Sequence, residues 1–340
     1  MTEVYPVSPE GPSPEALDAA VRALTLGRGV FLRLHEGYGA VYRPSAGAKA
    51  PFPPSYRLRS ADDLEDFVVP SPRARRIAAA FWPGPLELEL GPADRPVRLA
   101  HAGPQALATL AAALPFRPAA AFSGAGAAAS AAAWTAAPIA VDVVWDEGET
   151  SPQRATRVGV RDDGALSLLQ AGAVAPEELG RRAPREILCV CTGNTCRSPM
   201  ASALLAQAVA DALGVGREAL PSFGYRVLSA GVSAYPGEPA SGGAFAAMAT
   251  YGLGLGAHRA RRADAELLAE ADVIYAMTGA HLSRVRALLP PPRAKLAVLF
   301  DPAGRDVDDP FGGDDKIYRR TAERLAEIAR QRAAEIVAPS

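Results

Sequence analysis

The chain has 340 residues, enough for two domains with separate cores, and its 36 Lys+Arg against 37 Asp+Glu leave a net charge of −1. That balance supplies no attraction to nucleic acid or to an anionic membrane, so neither is expected as a partner. Three cysteines, an odd number clustered in one short stretch, argue against a disulfide framework and for a reducing compartment.

The opening residues, MTEVYPVSPEGPSPEAL, carry acids and prolines where a secretory leader needs a basic start and an apolar run, so a cytoplasmic protein is expected. Helical patterns follow at Pro14–Leu26 and Ser71–Phe81, with β-like runs that include Gly29–Leu34 and Ala140–Val144. Together they predict an α/β domain without a plain order of elements. No charge occurs from Pro118 to Val141, but Ala, Gly and Ser dominate and Pro138 interrupts, which predicts a buried small-residue segment and not a membrane span. A helical pattern then ends in Gly180, Arg181–Arg185 reads as a linker, and the apolar run Ile187–Val190 restarts the chain as a buried strand. The expected domains are therefore residues 1–180 and 186–340, joined by 181–185.

The second half alternates. Strands are predicted at Ile187–Val190, Arg226–Leu228, Val273–Ala276 and Leu296–Phe300, and helices at Met200–Leu213, Gly242–Tyr251, Asp264–Ala271, His281–Leu289 and Lys316–Val337. Such alternation implies an α/β fold, a parallel sheet flanked by helices, with ligands at the carboxyl ends of the strands.

One stretch lies at such an end. CVCTGNTCRSPMASALLAQ, Cys189–Gln207, holds all three cysteines. A zinc site would need about four Cys or His ligands in paired spacings, and none of His35, His101, His258 and His281 is so paired near the thiols. Neither a metal nor a cofactor is implied. A nucleophile explains more residues: Cys191 and Arg197 form C-x5-R between a strand and a helix, a loop whose backbone N–H groups can curl around a tetrahedral oxyanion. Gly193 and Asn194 are residue types that tolerate a left-handed backbone. Ser198 is expected as N-cap and Pro199 in the first turn, so that the helix N-terminus and Arg197 favour the attacking thiolate at Cys191. Arg197 offers a planar fork to two phosphoryl oxygens, and Ser198 a hydroxyl to the sulfur.

These residues resemble the phosphate loop of the low-molecular-weight protein tyrosine phosphatase family. The similarity continues through LSAGVSAYPGEPAS (Leu228–Ser241), HRARRADAELLAEADVIYAMTGAH (His258–His281) and DVDDPFGGDDKIYRRTAERL (Asp306–Leu325). It implies a cysteine-dependent phosphatase acting on phosphorylated protein through a phosphocysteine intermediate. It also implies a general acid in an Asp-Pro-aromatic loop, here Asp309-Pro310-Phe311. Asp301-Pro302 lacks the aromatic, and Asp308 is a second candidate. The phosphate and substrate would meet Thr192, Gly193, Asn194, Thr195, Cys196, Ser198 and Phe311. Cys196 has two readings, a small core residue or a thiol that pairs with the nucleophile under oxidation; Cys189 is read as core. The arsenate reductases that share this fold need cysteines well beyond the loop, and none follows Cys196.

Thr195 bears on substrate. Phosphotyrosine-directed members usually carry an aliphatic residue there, whereas the bacterial protein arginine phosphatases of the family read CTGNTCRSPMA, as this chain does. With Phe311 in place of the common tyrosine, phosphoarginine is favoured and phosphotyrosine is the alternative.

The first half resembles a divergent YrdC-like domain of the threonylcarbamoyl-AMP synthase family through FWPGPLELEL (Phe81–Leu90), VRLAHAGPQALATLAAALPFRPAAAFSGAG (Val97–Gly126) and LLQAGAVAPEEL (Leu168–Leu179). The polar signatures are diluted: Leu34–Val41 replaces Pro-Thr-Glu-Thr-x-Tyr-Gly-Leu, no Lys-x-Arg is evident near Ala48–Arg57, Ser123-Gly124-Ala125 replaces Ser-Ala-Asn, and Gln170 stands where an arginine is expected. A non-catalytic adaptor or ligand-binding module is implied. The other reading of the whole chain is a nucleotide- or RNA-related binding protein acting through this half, with an accessory phosphatase half.

Overall fold

A computed structural model describes residues 1–44, 54–122 and 127–338. They fall into two units, the first made of Met1–Pro70, Ala74–Arg161 and Leu166–Pro176, the second of Ser71–Arg73, Asp162–Ala165 and Glu177–Ser340.

In the first unit the strands are β1 (Glu3–Pro6), β2 (Gly29–Leu34), β3 (Gly37–Tyr42), β4 (Ser55–Leu58), β5 (Leu86–Leu90), β6 (Val97–His101), β7 (Ala119–Ala121), β8 (Val141–Asp146), β9 (Thr156–Val160) and β10 (Leu166–Gln170). They form one mixed sheet in the order β1-β8-β2-β3-β7-β4-β6-β5-β9-β10. Its helices are α1 (Pro14–Thr25), α2 (Pro72–Phe81, whose first residues belong to the second unit) and α3 (Gln105–Ala113). Helix α1 starts where Ser13 accepts a hydrogen bond from Ala16 N and Pro14 needs no N–H partner. Its Ala16, Ala19, Ala20, Ala23 and Leu24 share a core with Leu32, Leu107 and Trp145. The uncharged stretch 118–141 contains β7, a 3₁₀ turn at Ala131–Ala136 and the first residue of β8. Among the described residues no single helix is long and apolar enough to cross a membrane.

In the second unit the elements are α4 (Pro176–Arg182, its first residue in the first unit), β11 (Arg185–Cys191), α5 (Arg197–Leu213), β12 (Tyr225–Gly231), α6 (Gly242–Ala249), α7 (Ala265–Glu270), β13 (Val273–Ala276), α8 (Gly279–Ala287), α9 (Pro291–Ala294), β14 (Ala297–Leu299) and α10 (Asp315–Val337). All four strands are parallel, in the order β12-β11-β13-β14. Side-chain alternation on β11 sets the layers. Ile187, Cys189 and Cys191 face a core with Met200, Leu205, Met248, Phe300 and Leu325, whereas Leu188 and Val190 face Ala230, Leu268, Ile274 and Val285. A strand buried on both faces reads as a continuous apolar run, as this one does.

The expected linker 181–185 is taken up by structure on both sides: α4 runs through Arg182, and Arg185 already opens β11. Gly180 does not stop the helix. It is buried, and a Cβ there would lie 3.2 Å from the Cα of Gly224, so the glycine serves a close approach. The helix stops before Pro184, which disfavours helical geometry in the residue ahead of it; the Ala183 N–H still donates to Leu179 O at 3.0 Å.

Leu205 is fully buried in the core between α5 and the sheet. Leu205→Ala is expected to cost about 2–5 kcal/mol, read as a lower midpoint in urea unfolding followed by far-UV circular dichroism.

Candidate active site

Strand β11 delivers Cys191 to the carboxyl end of the parallel sheet, and the chain then turns through Thr192–Cys196 before α5 begins at Arg197. The turn is made by Asn194, whose φ of 57° is in the left-handed region. Its carboxamide secures that backbone: Nδ2 donates to Ser198 Oγ at 2.9 Å and to Ser229 Oγ at 3.0 Å, and Oδ1 accepts from Arg261 N at 3.0 Å. The carbonyl of Asn194 accepts from His258 Nε2 at 2.7 Å, which fixes the proton on that nitrogen; burial holds the His258 pKa below its usual value. Gly193, expected to share the left-handed role, does not have a positive φ. A Cβ there would meet only Thr195 Oγ1 at 3.5 Å, an ordinary contact.

The glycine that the loop does require lies on the neighbouring strand. A Cβ at Gly231 would sit 2.5 Å from Thr192 O and 2.7 Å from Asn194 N, so a bare backbone is needed for the loop to close over β12. Val232 N and Ser233 N then donate to the carbonyls of Cys191 and Thr192, each at 2.9 Å. Gly231 carried no assignment in the sequence. The available signal was its position at the end of the strand paired with β11.

Ser198 is not the N-cap. Helix α5 begins at Arg197, two residues earlier than that cap would imply; Cys196 occupies the cap position without a side-chain cap bond, and Pro199 is the third helical residue, still within the turn whose N–H groups lack helical partners. The Ser198 hydroxyl is used elsewhere. It lies 3.0 Å from Cys191 Sγ and 3.1 Å from Ala230 O, and it accepts from Asn194 Nδ2. With one hydrogen to donate, it serves either Ala230 O or the sulfur. In the first case a Cys191 thiol donates to Ser198, and in the second Ser198 donates to a thiolate.

Arg197 is 5% exposed and projects along the loop. Nη1 donates to Val307 O at 3.2 Å; Nη2 donates to Thr192 Oγ1 at 3.3 Å and to Asp309 Oδ2 at 2.5 Å; Nε is buried without a partner. Asp309 is half-exposed, its other oxygen accepts from Phe311 N at 3.3 Å, and the Phe311 ring stands out in solvent. Asp301 lies elsewhere. It is buried, and although burial pushes its carboxyl pKa upward, the Ala303 N–H and the guanidinium groups of Arg324 and Arg305 hold it below the usual range. Asp308 is exposed.

Thr195 is half-buried, with its hydroxyl 3.7 Å from Cys196 Sγ and its carbonyl accepting from Ser241 N. The buried Cys196 thiol is 3.2 Å from Ser241 Oγ and 3.3 Å from the Tyr318 hydroxyl. Cys189 is wholly buried, and desolvation pushes its thiol pKa far up; it is core. All three cysteines are free, and among the described residues no His, Cys, Asp and Glu side chains converge as a metal set.

His281 enters from α8. Its Nε2 is 2.8 Å from Thr192 Oγ1 and its Nδ1 is 2.8 Å from the hydroxyl of Thr278, the N-cap of that helix. Sequence reading missed this link because its partner lies far off along the chain. Burial first, then the Arg197 charge, lower the His281 pKa from 6.5 to about 4, against the opposing pull of Asp309 and Asp306. Between those values the unfolded chain binds a proton that the folded chain refuses. The contribution is therefore fully present above about pH 6.5 and lost as pH falls toward 4. Wild-type stability in urea is expected to fall more steeply over that window than that of His281→Asn; parallel slopes would show that the imidazole is not held neutral.

Comparison with known proteins gives the same region. A family model for low molecular weight phosphotyrosine protein phosphatase matches residues 186–339. The probable low molecular weight protein-tyrosine-phosphatase EpsP of Ralstonia solanacearum is 39% identical over 127 residues, 37% of this chain and 79% of that protein. The protein-arginine-phosphatase of Bacillus subtilis is 36% identical over 154 residues, 44% of this chain and 96% of that protein. The crystal structure of a YwlE mutant from Bacillus subtilis is 34% identical and covers 44% of this chain and 97% of its own, with a TM-score of 0.39. Because such relatives are matched over most of their own length, the chain belongs, through residues 186–339, to the low molecular weight phosphotyrosine protein phosphatase family, and is a cysteine-based protein phosphatase.

Proposed function

We propose that the enzyme removes phosphate from arginine side chains of proteins, with Cys191 as nucleophile and Asp309 as general acid. The thiolate attacks phosphorus and the P–N bond breaks, while protonated Asp309 gives its proton to the leaving guanidine nitrogen. The Asp309 carboxylate then takes a proton from water as that water attacks the phosphocysteine. Phosphate leaves, and the Cys191 thiolate and the protonated acid are restored. Backbone N–H groups of residues 192–197, at the N-terminus of α5, receive the phosphoryl oxygens.

The single observation that carries this reading is the reach of Arg197 between loop and acid. Its Nη2 touches both Thr192 and Asp309, and its Nε is buried with a donor to spare. A phosphoryl group that takes the Nε–Nη2 edge displaces the Asp309 carboxyl group from its cation and frees it to turn toward the leaving group. Ser198 supports the same step, since turning its hydroxyl from Ala230 O to Cys191 Sγ stabilises the sulfur both as attacking and as leaving group.

For the substrate, the support is Thr195. Its hydroxyl makes only a long contact with Cys196 Sγ and stays available to a guanidinium or to a water, while its β-branch narrows the space for a flat ring. The arginine-phosphatase relative favours the same choice, and the tyrosine-phosphatase relative keeps phosphotyrosine as the alternative. We read the first unit as a non-catalytic YrdC-like module and the protein as cytoplasmic. The altered Ser123-Gly124-Ala125 and part of the Ala48–Arg57 stretch lie outside the described residues.

Cys191→Ser is expected to abolish turnover of an aryl phosphate and to retain phosphate binding by calorimetry; residual hydrolysis above background would exclude the covalent route. Asp309→Ala should slow poor leaving groups by roughly 10²–10⁴ and activated ones far less, as read from a leaving-group series; the same behaviour in Asp301→Ala instead would transfer the role. Thr195→Ile should lower the phosphoarginine to phosphotyrosine ratio of kcat/KM by roughly one to two powers of ten. An unchanged ratio on matched peptides would return phosphotyrosine to first place.

A further inference from the structure

The surface continues past the phosphate loop along the chain that leaves β12. After Gly231, Ser233 N donates to Thr192 O at 2.9 Å, and the hydroxyl of the same serine accepts from Arg284 Nη1 at 3.2 Å. Arg284 lies on α8 one turn beyond His281, whose ring meets Thr192 Oγ1 and whose pKa the Arg284 charge helps to lower. Two routes, one through Ser233 and one through α8, therefore place Arg284 beside the loop. An open groove of about 580 Å³ runs from there between α8 and the turn into α7, with Val232, Arg262, Asp264, Arg284 and Leu288 among its walls.

The walls combine two chemistries. Val232 and the exposed Leu288 give an apolar side. Arg262 and Arg284 are both exposed, and no carboxylate among the described residues pairs with either. The main chain of Arg262 is fixed by its parallel bridge to Gly231. Asp264 also lines the groove, but its Oδ1 is committed to Leu267 N at 2.9 Å as the cap of α7. Two cations against one acid leave the groove positive. A protein substrate brings more than its phosphorylated side chain, and its neighbouring residues come within reach because an extended peptide advances about 3.3–3.6 Å per residue. An acidic neighbour would complete the two guanidinium groups and a basic one would be repelled.

We propose that this groove is a subsite for the substrate chain, in which Arg262 and Arg284 select an aspartate or glutamate close in sequence to the phosphorylated residue. The proposal rests on the protein-phosphatase reading, but not on whether the phosphorylated residue is arginine or tyrosine.

Binding without turnover tests it. The full chain carrying Cys191→Ala is titrated, by fluorescence anisotropy, with labelled phosphopeptides made in phosphoarginine and phosphotyrosine versions. The peptides differ only in a glutamate, an alanine or a lysine placed in turn at each of the three positions before and after the phosphorylated residue. At one or more positions glutamate is expected to bind about threefold to tenfold more tightly than alanine, and lysine more weakly, since an exposed ion pair is worth a factor of up to about five. The margin should narrow as added salt screens it. Arg262→Glu combined with Arg284→Glu is expected to reverse the order, so that lysine binds more tightly than glutamate at the same position. Ratios are taken between peptides within one variant, so a general loss of affinity does not enter them. Phosphate-dependent binding that ignores the flanking charge at every position would overturn the subsite alone, as would a glutamate preference that survives the double charge reversal. Phosphopeptides that bind no better than their unphosphorylated counterparts would overturn the phosphatase reading, and the subsite with it.

Discussion

The site depends on one carboxamide. Asn194 holds a left-handed backbone at φ 57° that costs most side chains energy, and the same residue recovers that cost by bonding to Ser198, Ser229 and the backbone of Arg261. Glycine would make the turn but leave those partners unmet. By donating to Ser198 Oγ, Nδ2 takes up one of that hydroxyl's acceptor positions, so the hydroxyl's own hydrogen is left to choose between Ala230 O and Cys191 Sγ. Loop shape and sulfur chemistry are thus set by one side chain.

A second link joins the loop to Asp309. Thr192, the residue after Cys191, lies between His281 on one side and Arg197 on the other. A charged imidazole there would repel the guanidinium that the phosphoryl group needs. Burial keeps the ring neutral, so it acts as a hydrogen-bonding brace in either tautomer, one nitrogen donating while the other accepts. Thr278 is well suited to hold the far nitrogen because it is already fixed as the cap of α8.

How much of this was legible in the sequence follows from the range of each interaction. Cys191, Arg197 and the strand-loop-helix around them are local, and their spacing was enough to read them. The role of Ser198 was legible only in kind. Its hydroxyl does reach the sulfur, but the helix starts at Arg197, a shift that no propensity rule resolves. Gly193 and Asn194 look equivalent as left-handed residues, and only loop closure against Gly231 decides between them. Gly231 and His281 were silent because their reasons lie on other strands and helices. The first unit shows the same limit: Gly29–Leu34 was legible as a strand, whereas the pairing of Leu86 with Thr156, or of Glu3 with Val143, has no local signature.

Buried arginines sort by what they leave undone. Arg185 is as buried as Arg197, yet every nitrogen is engaged: Nε with Asp163 O, Nη1 with Ile336 O, Nη2 with Asp163 Oδ2. Such a side chain is a structural pin, since a folded protein that buries a guanidinium normally meets its donors in full. Arg197 keeps Nε free and lends Nη2 to a half-exposed carboxylate that a phosphoryl group can displace. Arg57 keeps a whole edge free. In both, the unmet donors belong to the Nε–Nη2 edge, the one this chain uses to grip carboxylates at Arg28 and Arg59. The difference lies in the neighbour. Asp309 is half-exposed and can leave Arg197 when a dianion arrives, whereas Glu36 is buried and stays with Arg57, so only the first pair is placed to exchange its carboxylate for a phosphoryl group.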